Sequence, residues 1–307
     1  MRIMRYLVIA LLFFIPATML AAVGPEDLPD AAKWYFHADL EEMRSSEAGQ
    51  HLYAWLQDEV FEEVREDTGV DLEKEIDQIT AFATAGENVV IVIEGNISQD
   101  SEDKMLAVAA ASGSLDKLGS GSKAYYFVDE NDDHGGNSNI DIDVDSFDDG
   151  AYFSFAVKNK ILVTATEADM ETMLANKGKH PGATNAKGAL FVLSAERSLM
   201  QAGVKAGDLG DGFDWDSNIL KNTEQAGIIV ADENGKIAIK AQLVTTEKEM
   251  ADSLASIVRG FISLQVFNDE LDPELASLLQ NTSVATDGNS LTIKIELDPE
   301  TVMAVID

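Results

Sequence analysis

The sequence predicts an α+β fold in which helices pack on one face of largely antiparallel sheets. Strand and helix periodicities alternate along the chain, and short turns that contain Gly or Asn separate neighbouring strand candidates. The second half of the chain also repeats the element order of the first half. Each half follows the order strand, helix, hairpin, helix, hairpin, helix, so we expect two duplicated units.

The first half begins with a short strand predicted at residues 34–40. Apolar side chains at three- and four-residue spacing then predict an amphipathic helix over 46–65. Strand candidates flank the tripeptide Ala85-Gly86-Glu87, which favours a tight hairpin. The remaining elements of this half are strands at 79–84, 88–97, 123–128, 151–157 and 161–166, a helix capped by Asp100 or Ser101 and a helix at 167–175.

The second half repeats this order from residue 189. Two of its strands meet at Glu233-Asn234-Gly235, where Asn-Gly favours a hairpin turn with positive φ. Thr246 and Glu249 form a capping box for a long helix that reaches about residue 266. The predicted strands are 189–194, 227–232, 236–244, 283–286 and 291–297, with further helices at 196–202, 273–280 and 299–306.

Residues 1–22 have the pattern of a secretory signal peptide, with Arg2 and Arg5 before an uncharged apolar run and a small-residue ending. We predict cleavage near residue 22; an uncleaved anchor is the alternative, because the 18 uncharged residues 6–23 barely span a bilayer. The chain contains no cysteine, hence no lipobox acylation site and no disulfide. We therefore predict a bacterial periplasmic or secreted protein with repeats at 23–176 and 189–307 and a linker at 177–188.

The 307 residues carry 55 acids against 22 Lys and Arg, a formal charge of −33. Binding to phosphate groups requires Lys and Arg, so this charge argues against nucleic acid or anionic lipid as a partner. Solubility in a salty medium is one explanation of such a surface. A cationic or basic partner and bound divalent ions are the alternatives.

The acidic insert, residues 129–149, contains nine acids and no Lys or Arg. Asp141, Asp143 and Asp145 match the first three ligand positions of a calcium loop, which supplies oxygens at alternate residues. Ser146 then stands where the loop needs Gly, and Tyr152 stands where a bidentate Glu should close the site. We favour a solvated acidic edge, with a calcium site as the alternative.

A second acidic cluster lies at residues 208–218, where Asp214, Asp216 and Asn218 have the same alternate spacing. Its later positions are a poor match to a calcium loop, so a surface loop in which Asp side chains cap their own backbone is the competing interpretation. Ca²⁺ is nevertheless the cofactor that the sequence best supports. Trp215 lies in this polar loop and is the best candidate for a ligand-contact residue.

Enzyme motifs are scarce in the sequence, which has no Cys nucleophile, G-x-S-x-G elbow, H-E-x-x-H or Walker loop. We assign no catalytic residues. The sequence favours a soluble non-enzymatic envelope protein that acts by binding a partner or ligand. The alternatives are a carboxylate-dependent hydrolase of polysaccharide or peptide, and a calcium-assisted adhesion or surface-assembly module.

The last 60 or so residues combine a Thr-Glu-capped helix, a D-P-E-L turn and a D-G-N hairpin that ends in a D-P-E-capped helix. This arrangement resembles a family of uncharacterised exported bacterial proteins with no assigned activity. The resemblance implies an envelope location and supports the α+β prediction. It implies no catalytic or binding residues.

The solvated-edge interpretation predicts that calcium, magnesium and sodium chloride at matched ionic strength raise the Tm of the mature protein equally, because each only screens repulsion. Thermal unfolding against a chelator control measures this. A calcium-specific rise that is lost in the variant Asp141→Asn, Asp143→Asn, Asp145→Asn would instead mean that the insert closes a calcium site with ligands from elsewhere in the fold.

Overall fold

A computed structural model of the protein describes residues 32–83, 88–112, 114–129, 150–179, 188–197, 222–266, 278–279 and 281–306. Helices and antiparallel strands alternate along these residues, as the sequence predicts. They form two compact units. Of the described residues, the first unit contains those from 53 to 179, and the second contains 32–52 and those from 188 to 306.

The elements up to residue 179 are β1 (Trp34–Asp39), α1 (Leu40–Ser45), α2 (Glu47–Leu56), a π-helical turn (Gln57–Phe61), α3 (Glu62–Thr68), β2 (Ile76–Ala83), β3 (Val89–Gly95), α4 (Gln99–Ser112), β4 (Ser114–Leu118), β5 (Tyr125–Asp129), β6 (Ala151–Ser154), β7 (Lys160–Thr164) and α5 (Glu167–Ala175). The later elements are β8 (Ala189–Glu196), β9 (Thr223–Glu233), β10 (Lys236–Thr245), α6 (Lys248–Val266), β11 (Ser283–Asp287), β12 (Ser290–Leu297) and α7 (Pro299–Ile306). None of the helices in these ranges is long and apolar enough to cross a membrane.

In the first unit, six of the described strands pair antiparallel in the order β2-β3-β7-β6-β5-β4. Helix α5 packs on β6 and β7 and buries Met170, Met173 and Leu174. Its start is fixed by Thr166, whose Oγ1 accepts a hydrogen bond from the Asp169 amide at 3.3 Å. This helix therefore covers one face of the sheet at the strands that follow the acidic insert.

In the second unit, six described strands pair antiparallel in the order β1-β8-β9-β10-β12-β11. Helix α6 lies over β10, β11 and β12. Its buried side chains Leu254 and Ala255 pack on Leu291 and Ile293 of β12. Because side chains alternate along a strand, Thr292, between Leu291 and Ile293, points to the opposite face of the sheet.

The β9–β10 hairpin confirms the predicted Asn-Gly turn. Asn234 and Gly235 have φ values of 59° and 78°, and Glu233 pairs with Lys236 across the two-residue loop. The Asp232 carboxylate accepts hydrogen bonds from the Gly235 amide at 3.0 Å and from the Ala48 amide at 2.7 Å. One side chain thus holds both the turn and the beginning of α2.

Several details differ from the sequence prediction, and one is helix α1 (Leu40–Ser45), where no helix was predicted. The long helix predicted at 46–65 is divided by the π-helical turn, and the amphipathic face continues through it with Val60, Phe61 and Val64 buried. Strand β4 was not predicted, because its sequence SLDKL has no clear apolar run. Helix α4 begins one residue after Ser98, whose Oγ accepts the Ser101 amide at 3.2 Å, so Ser98 is the cap rather than Asp100 or Ser101.

Gln242, in the middle of β10, is 2% exposed, and neither atom of its amide has a hydrogen-bond partner in the described structure. A buried polar group without a partner costs roughly 1–3 kcal/mol. We therefore expect Gln242→Leu to raise the free energy of unfolding by about that amount and the Tm by several degrees. Chemical and thermal denaturation measure both.

Gln57→Leu is the matched control, because the Gln57 side-chain amide donates to Glu73 Oε1 at 2.6 Å and the variant loses that bond. It should leave stability unchanged or lower it. A fall in Tm for Gln242→Leu would contradict the prediction. It would indicate that the buried amide stabilises the fold through a hydrogen-bond partner outside the described residues.

Candidate partner-binding surface

The acidic insert is attached at both ends to one hairpin. Strand β5 ends at Asp129 and β6 begins at Ala151, and the two strands pair through Tyr126–Phe153, Phe127–Tyr152 and Val128–Ala151. The Val128–Ala151 pair is the one nearest to residues 130–149. The insert therefore starts and finishes at the same point of the first unit's sheet.

The two faces of this hairpin carry different aromatic groups, because alternate residues of a strand point to opposite sides. On one face, the rings of Tyr126 and Phe153 stack at 5.3 Å, and Phe155 meets Phe153 edge-on at 5.8 Å. All three side chains are half-buried. We call Tyr126, Phe153 and Phe155 the aromatic row.

A cation already lies on the aromatic row. The Nζ atom of Lys117, from the neighbouring strand β4, is 5.5 Å from the centre of the Tyr126 ring. A cation within about 6 Å of an aromatic face is attracted by the negative charge of the ring face. The row can therefore hold positively charged groups, and it lies on the hairpin from which the acidic insert departs.

The opposite face of the hairpin is structural. Tyr125 is buried, and its hydroxyl donates to Glu167 Oε1 of α5 at 2.6 Å. This hydrogen bond to Glu167, together with burial, raises the pKa of Tyr125 to about 12. Tyr152 lies beside it, 6.3 Å between ring centres, and burial and the Glu167 charge raise its pKa as well. These contacts fasten the hairpin to α5.

The second unit carries an ion-paired cluster at β9, β10 and β12. Glu233 accepts Lys240 at 2.5 Å and Lys294 at 2.6 Å, and Lys294 also pairs with Glu296 at 2.6 Å. Burial raises the pKa of Glu233, but the two lysines outweigh it and leave the pKa below its usual value. A shallow hollow beside the cluster is lined by Lys236, Asn281, Ser283, Lys294 and Glu296.

This cluster is less suited to binding than the aromatic row. Lys294 is committed to two carboxylates, and Lys236 pairs with Asp298 at 3.5 Å. An anionic ligand in the hollow would have to displace these carboxylates. The lysines are better explained as neutralising acids on adjacent strands, where like charges would otherwise destabilise the pairing.

The site residues predicted from sequence fall in two stretches outside the described residues. Asp141, Asp143 and Asp145 lie in 130–149, and Asp214, Trp215, Asp216 and Asn218 lie in 198–221. The calcium and ligand-contact assignments therefore stay predictions. Within the residues that the structure does describe, no three His, Asp or Glu side chains are grouped so that they could hold a metal ion.

The sequence analysis selects Trp215 as the contact residue and does not identify the aromatic row. The signal was the pair of segments "YYFV" and "AYFSF", in which aromatic residues recur at alternate positions on both sides of the acidic insert.

His37 and Asp39, in β1, have structural roles. His37 is buried with its ring 6.3 Å from the Tyr35 ring, and the Asp39 carboxylate caps α1 by accepting a hydrogen bond from the Glu42 amide at 2.8 Å.

No protein-family model matches the chain, and no curated protein matches it. Three solved structures of TP0453 are distantly similar. Crystal form III has 9% sequence identity and a TM-score of 0.48 over 92% of this chain and 98% of that one. Crystal form IV has 10% sequence identity and a TM-score of 0.46, over 92% of this chain and 96% of that one. Crystal form I has 10% sequence identity and a TM-score of 0.43, over 94% of this chain and 98% of that one. We transfer neither function nor site residues from them.

The Tyr125–Glu167 hydrogen bond predicts a loss of stability at alkaline pH. Tyr125 has a raised pKa in the folded state, so its contribution is complete below about pH 10, the value of an unfolded tyrosine, and is lost as the pH rises towards about 12. We expect Tyr125→Phe to lower the Tm at neutral pH and to show a smaller further loss between pH 10 and 12.

Thermal unfolding as a function of pH measures both effects, with Tyr126→Phe on the other face of the hairpin as the matched control. The control should follow the wild-type pH dependence. Parallel curves for the wild type and Tyr125→Phe across the alkaline range would contradict the assignment of this hydrogen bond.

Proposed function

We propose that the protein is an exported, non-enzymatic envelope protein that acts by binding a cationic partner through its β5–β6 hairpin. One observation carries the proposal: the hairpin that presents the half-buried aromatic row also holds both ends of the acidic insert. The insert would attract a positively charged partner over a distance, and the aromatic row would supply short-range contact.

The chemistry of these two parts is complementary. Clustered carboxylates increase the association rate of a basic partner, and this effect decreases with salt. Aromatic faces bind arginine better than lysine, because the planar guanidinium stacks on a ring. The position of Lys117 against Tyr126 supports this use of the row. A partner with exposed arginine side chains is therefore the best match.

The two units share an order of elements that supports an internal duplication, which we also propose. In the first unit, hairpin β2–β3 is followed by α4, and the returning strand β7 pairs with β3 and leads into α5. In the second, hairpin β9–β10 is followed by α6, and β12 pairs with β10 and leads into α7. On this proposal β6, which pairs with β7, corresponds to β11, which pairs with β12; among the described strands, β4 and β5 are the additions to the first unit.

The signal peptide predicted at residues 1–22 and the resemblance of the last 60 or so residues to exported bacterial proteins support the envelope location. Calcium binding by Asp141, Asp143 and Asp145 is compatible with the same surface. A bound ion would lower the negative charge of the insert and so weaken its attraction for a cationic partner.

Fluorescence anisotropy with labelled oligoarginine and oligolysine peptides of equal length tests the proposal. We expect the mature protein to bind both peptides at low salt and oligoarginine more tightly. The variant Tyr126→Ala, Phe153→Ala should weaken oligoarginine binding more than oligolysine binding, by roughly tenfold for a loss of about 1.4 kcal/mol.

Neutralising Asp141, Asp143 and Asp145 by Asn should weaken the binding of both peptides. The matched control neutralises three exposed acids outside the hairpin, with Asp58→Asn, Glu59→Gln and Glu66→Gln. Equal effects of the two triple variants would mean that only the overall charge matters, and the hairpin would then not be the binding site.

A further inference from the structure

The outward face of helix α6 has an unusual apolar surface. Ile257, Phe261 and Leu264 are 64%, 58% and 75% exposed, although the same helix buries Leu254 and Ala255 against the sheet. Their spacing of four and three residues places them in one row along the helix. We call these three residues the apolar ridge. A contiguous exposed row of large apolar side chains is typical of an interaction surface.

The helix is neutral around the ridge, in contrast to the rest of the protein. Residues 253–266 contain one charged side chain, Arg259, whereas a quarter of the whole chain is charged. The Arg259 guanidinium donates to the Val284 carbonyl oxygen at 2.9 Å, so it is directed to the edge strand β11. Another copy could approach the ridge without placing like charges in contact.

A groove of small residues, Ser253, Ser256, Gly260 and Ser263, runs beside the ridge on the exposed side of the helix. The three serine hydroxyls donate to the carbonyls of Glu249, Asp252 and Arg259 four residues earlier, at 2.7, 2.8 and 2.8 Å. Because these hydroxyls have partners on their own helix, the groove can be covered without leaving a buried polar group unpaired.

Packing among the described residues does not explain Gly260. A glycine in a helix interior is less favourable than alanine, yet a Cβ atom at position 260 would meet none of the described residues within 4 Å. Gly49 in α2 is the contrasting case, since a Cβ there would lie 2.7 Å from the Met43 Cα. Gly49 is required by a close contact within the fold, whereas Gly260 is suited to a contact with another backbone.

We propose that the α6 surface binds a second copy of this chain, with the two helices antiparallel and a two-fold axis near Gly260. The ridge (257–264) and the groove (253–263) run side by side along the same turns of the helix. The ridge of one copy can therefore enter the groove of the other while its own groove receives the partner's ridge. A surface that is complementary to itself in this way is what a two-fold dimer requires.

The size and charge of the surface determine how strong this dimer is. The ridge exposes a few hundred Å² in each copy, below the roughly 800 Å² per partner of a typical stable complex. Two copies of a chain with a charge of −33 also repel each other. The dimer should therefore form only at higher protein concentrations and become tighter as salt screens the repulsion.

A lipid surface is a different occupant, and the charges disfavour it. Helices that lie in a membrane interface usually carry Lys and Arg on the polar side, where they meet anionic headgroups. The two cations of α6 are already engaged, since Arg259 bonds to β11 and Lys248 pairs with Asp252 one turn later at 2.6 Å. Self-association is the better explanation of a neutral ridge beside a groove of small residues.

Sedimentation velocity of the mature full-length chain over a protein concentration series, at low and high salt, tests the dimer. We expect a concentration-dependent dimer that salt strengthens, whereas salt weakens the proposed binding of cationic peptides, so the two proposals can fail separately. The ridge variant Ile257→Ser, Leu264→Ser should stay monomeric with an unchanged circular dichroism spectrum.

Gly260→Ala separates packing in the dimer from stability of the fold. It should raise the Tm of the monomer and yet weaken dimerisation at least severalfold, because the added methyl group blocks close approach of the helices. Gly49→Ala, the control, should lower the Tm. A chain that is monomeric at all concentrations and salts, or a dimer equally tight in Gly260→Ala, would overturn the proposal.

The remaining outcome concerns lipid. Flotation with vesicles of phosphatidylcholine, alone and mixed with phosphatidylglycerol, should give no binding. Binding that the ridge variant abolishes would identify the α6 surface as a lipid-contact surface and would overturn self-association.

Discussion

The antiparallel register of the strands is the constraint on which the rest of the structure depends. Since side chains alternate along each strand, register decides which residues face the helices and which face away. Tyr125 reaches Glu167 on α5 while its neighbour Tyr126 stacks on Phe153 on the opposite side. A one-residue slip of β5 against β6 would turn Tyr126 towards α5 and Tyr125 away from it. It would break both the Tyr125–Glu167 hydrogen bond and the Tyr126–Phe153 stack.

The same alternation determines how the protein distributes its charges. Lys240 and Lys294 lie opposite each other on β10 and β12, and Glu233 at the end of β9 accepts both. Lys160 on β7 likewise pairs with Glu94 opposite it on β3. Several of the scarce cations are thus used on the sheets, where they neutralise carboxylates on neighbouring strands. Most of the remaining acids are left to determine the charge of the surface.

The sequence predicted the elements well where local physics decides them. The Asn234-Gly235 turn, the strands beside it and helix α6 follow from turn chemistry and periodicity. Strand β4 did not follow, because the polar sequence SLDKL becomes a strand by pairing with the aromatic strand β5. The aromatic row was only partly predictable for a related reason. Tyr126 and Phe153 are 27 positions apart in the chain, and only the register brings them together.

Gln242 and Gly260 are two positions where the residue is not the one that stability of the single chain favours. The surroundings of the two residues show that they have different explanations. Gln242 is enclosed between Gly227 and Thr292 on adjacent strands, so nothing outside the fold reaches it without opening the structure. Gly260 is on an exposed helix beside three uncovered apolar side chains. Gly260 is an unfavourable residue at the surface, and the exposed apolar ridge lies beside it. A contact between molecules explains both features. An unfavourable residue in the interior, such as Gln242, points only to the packing around it.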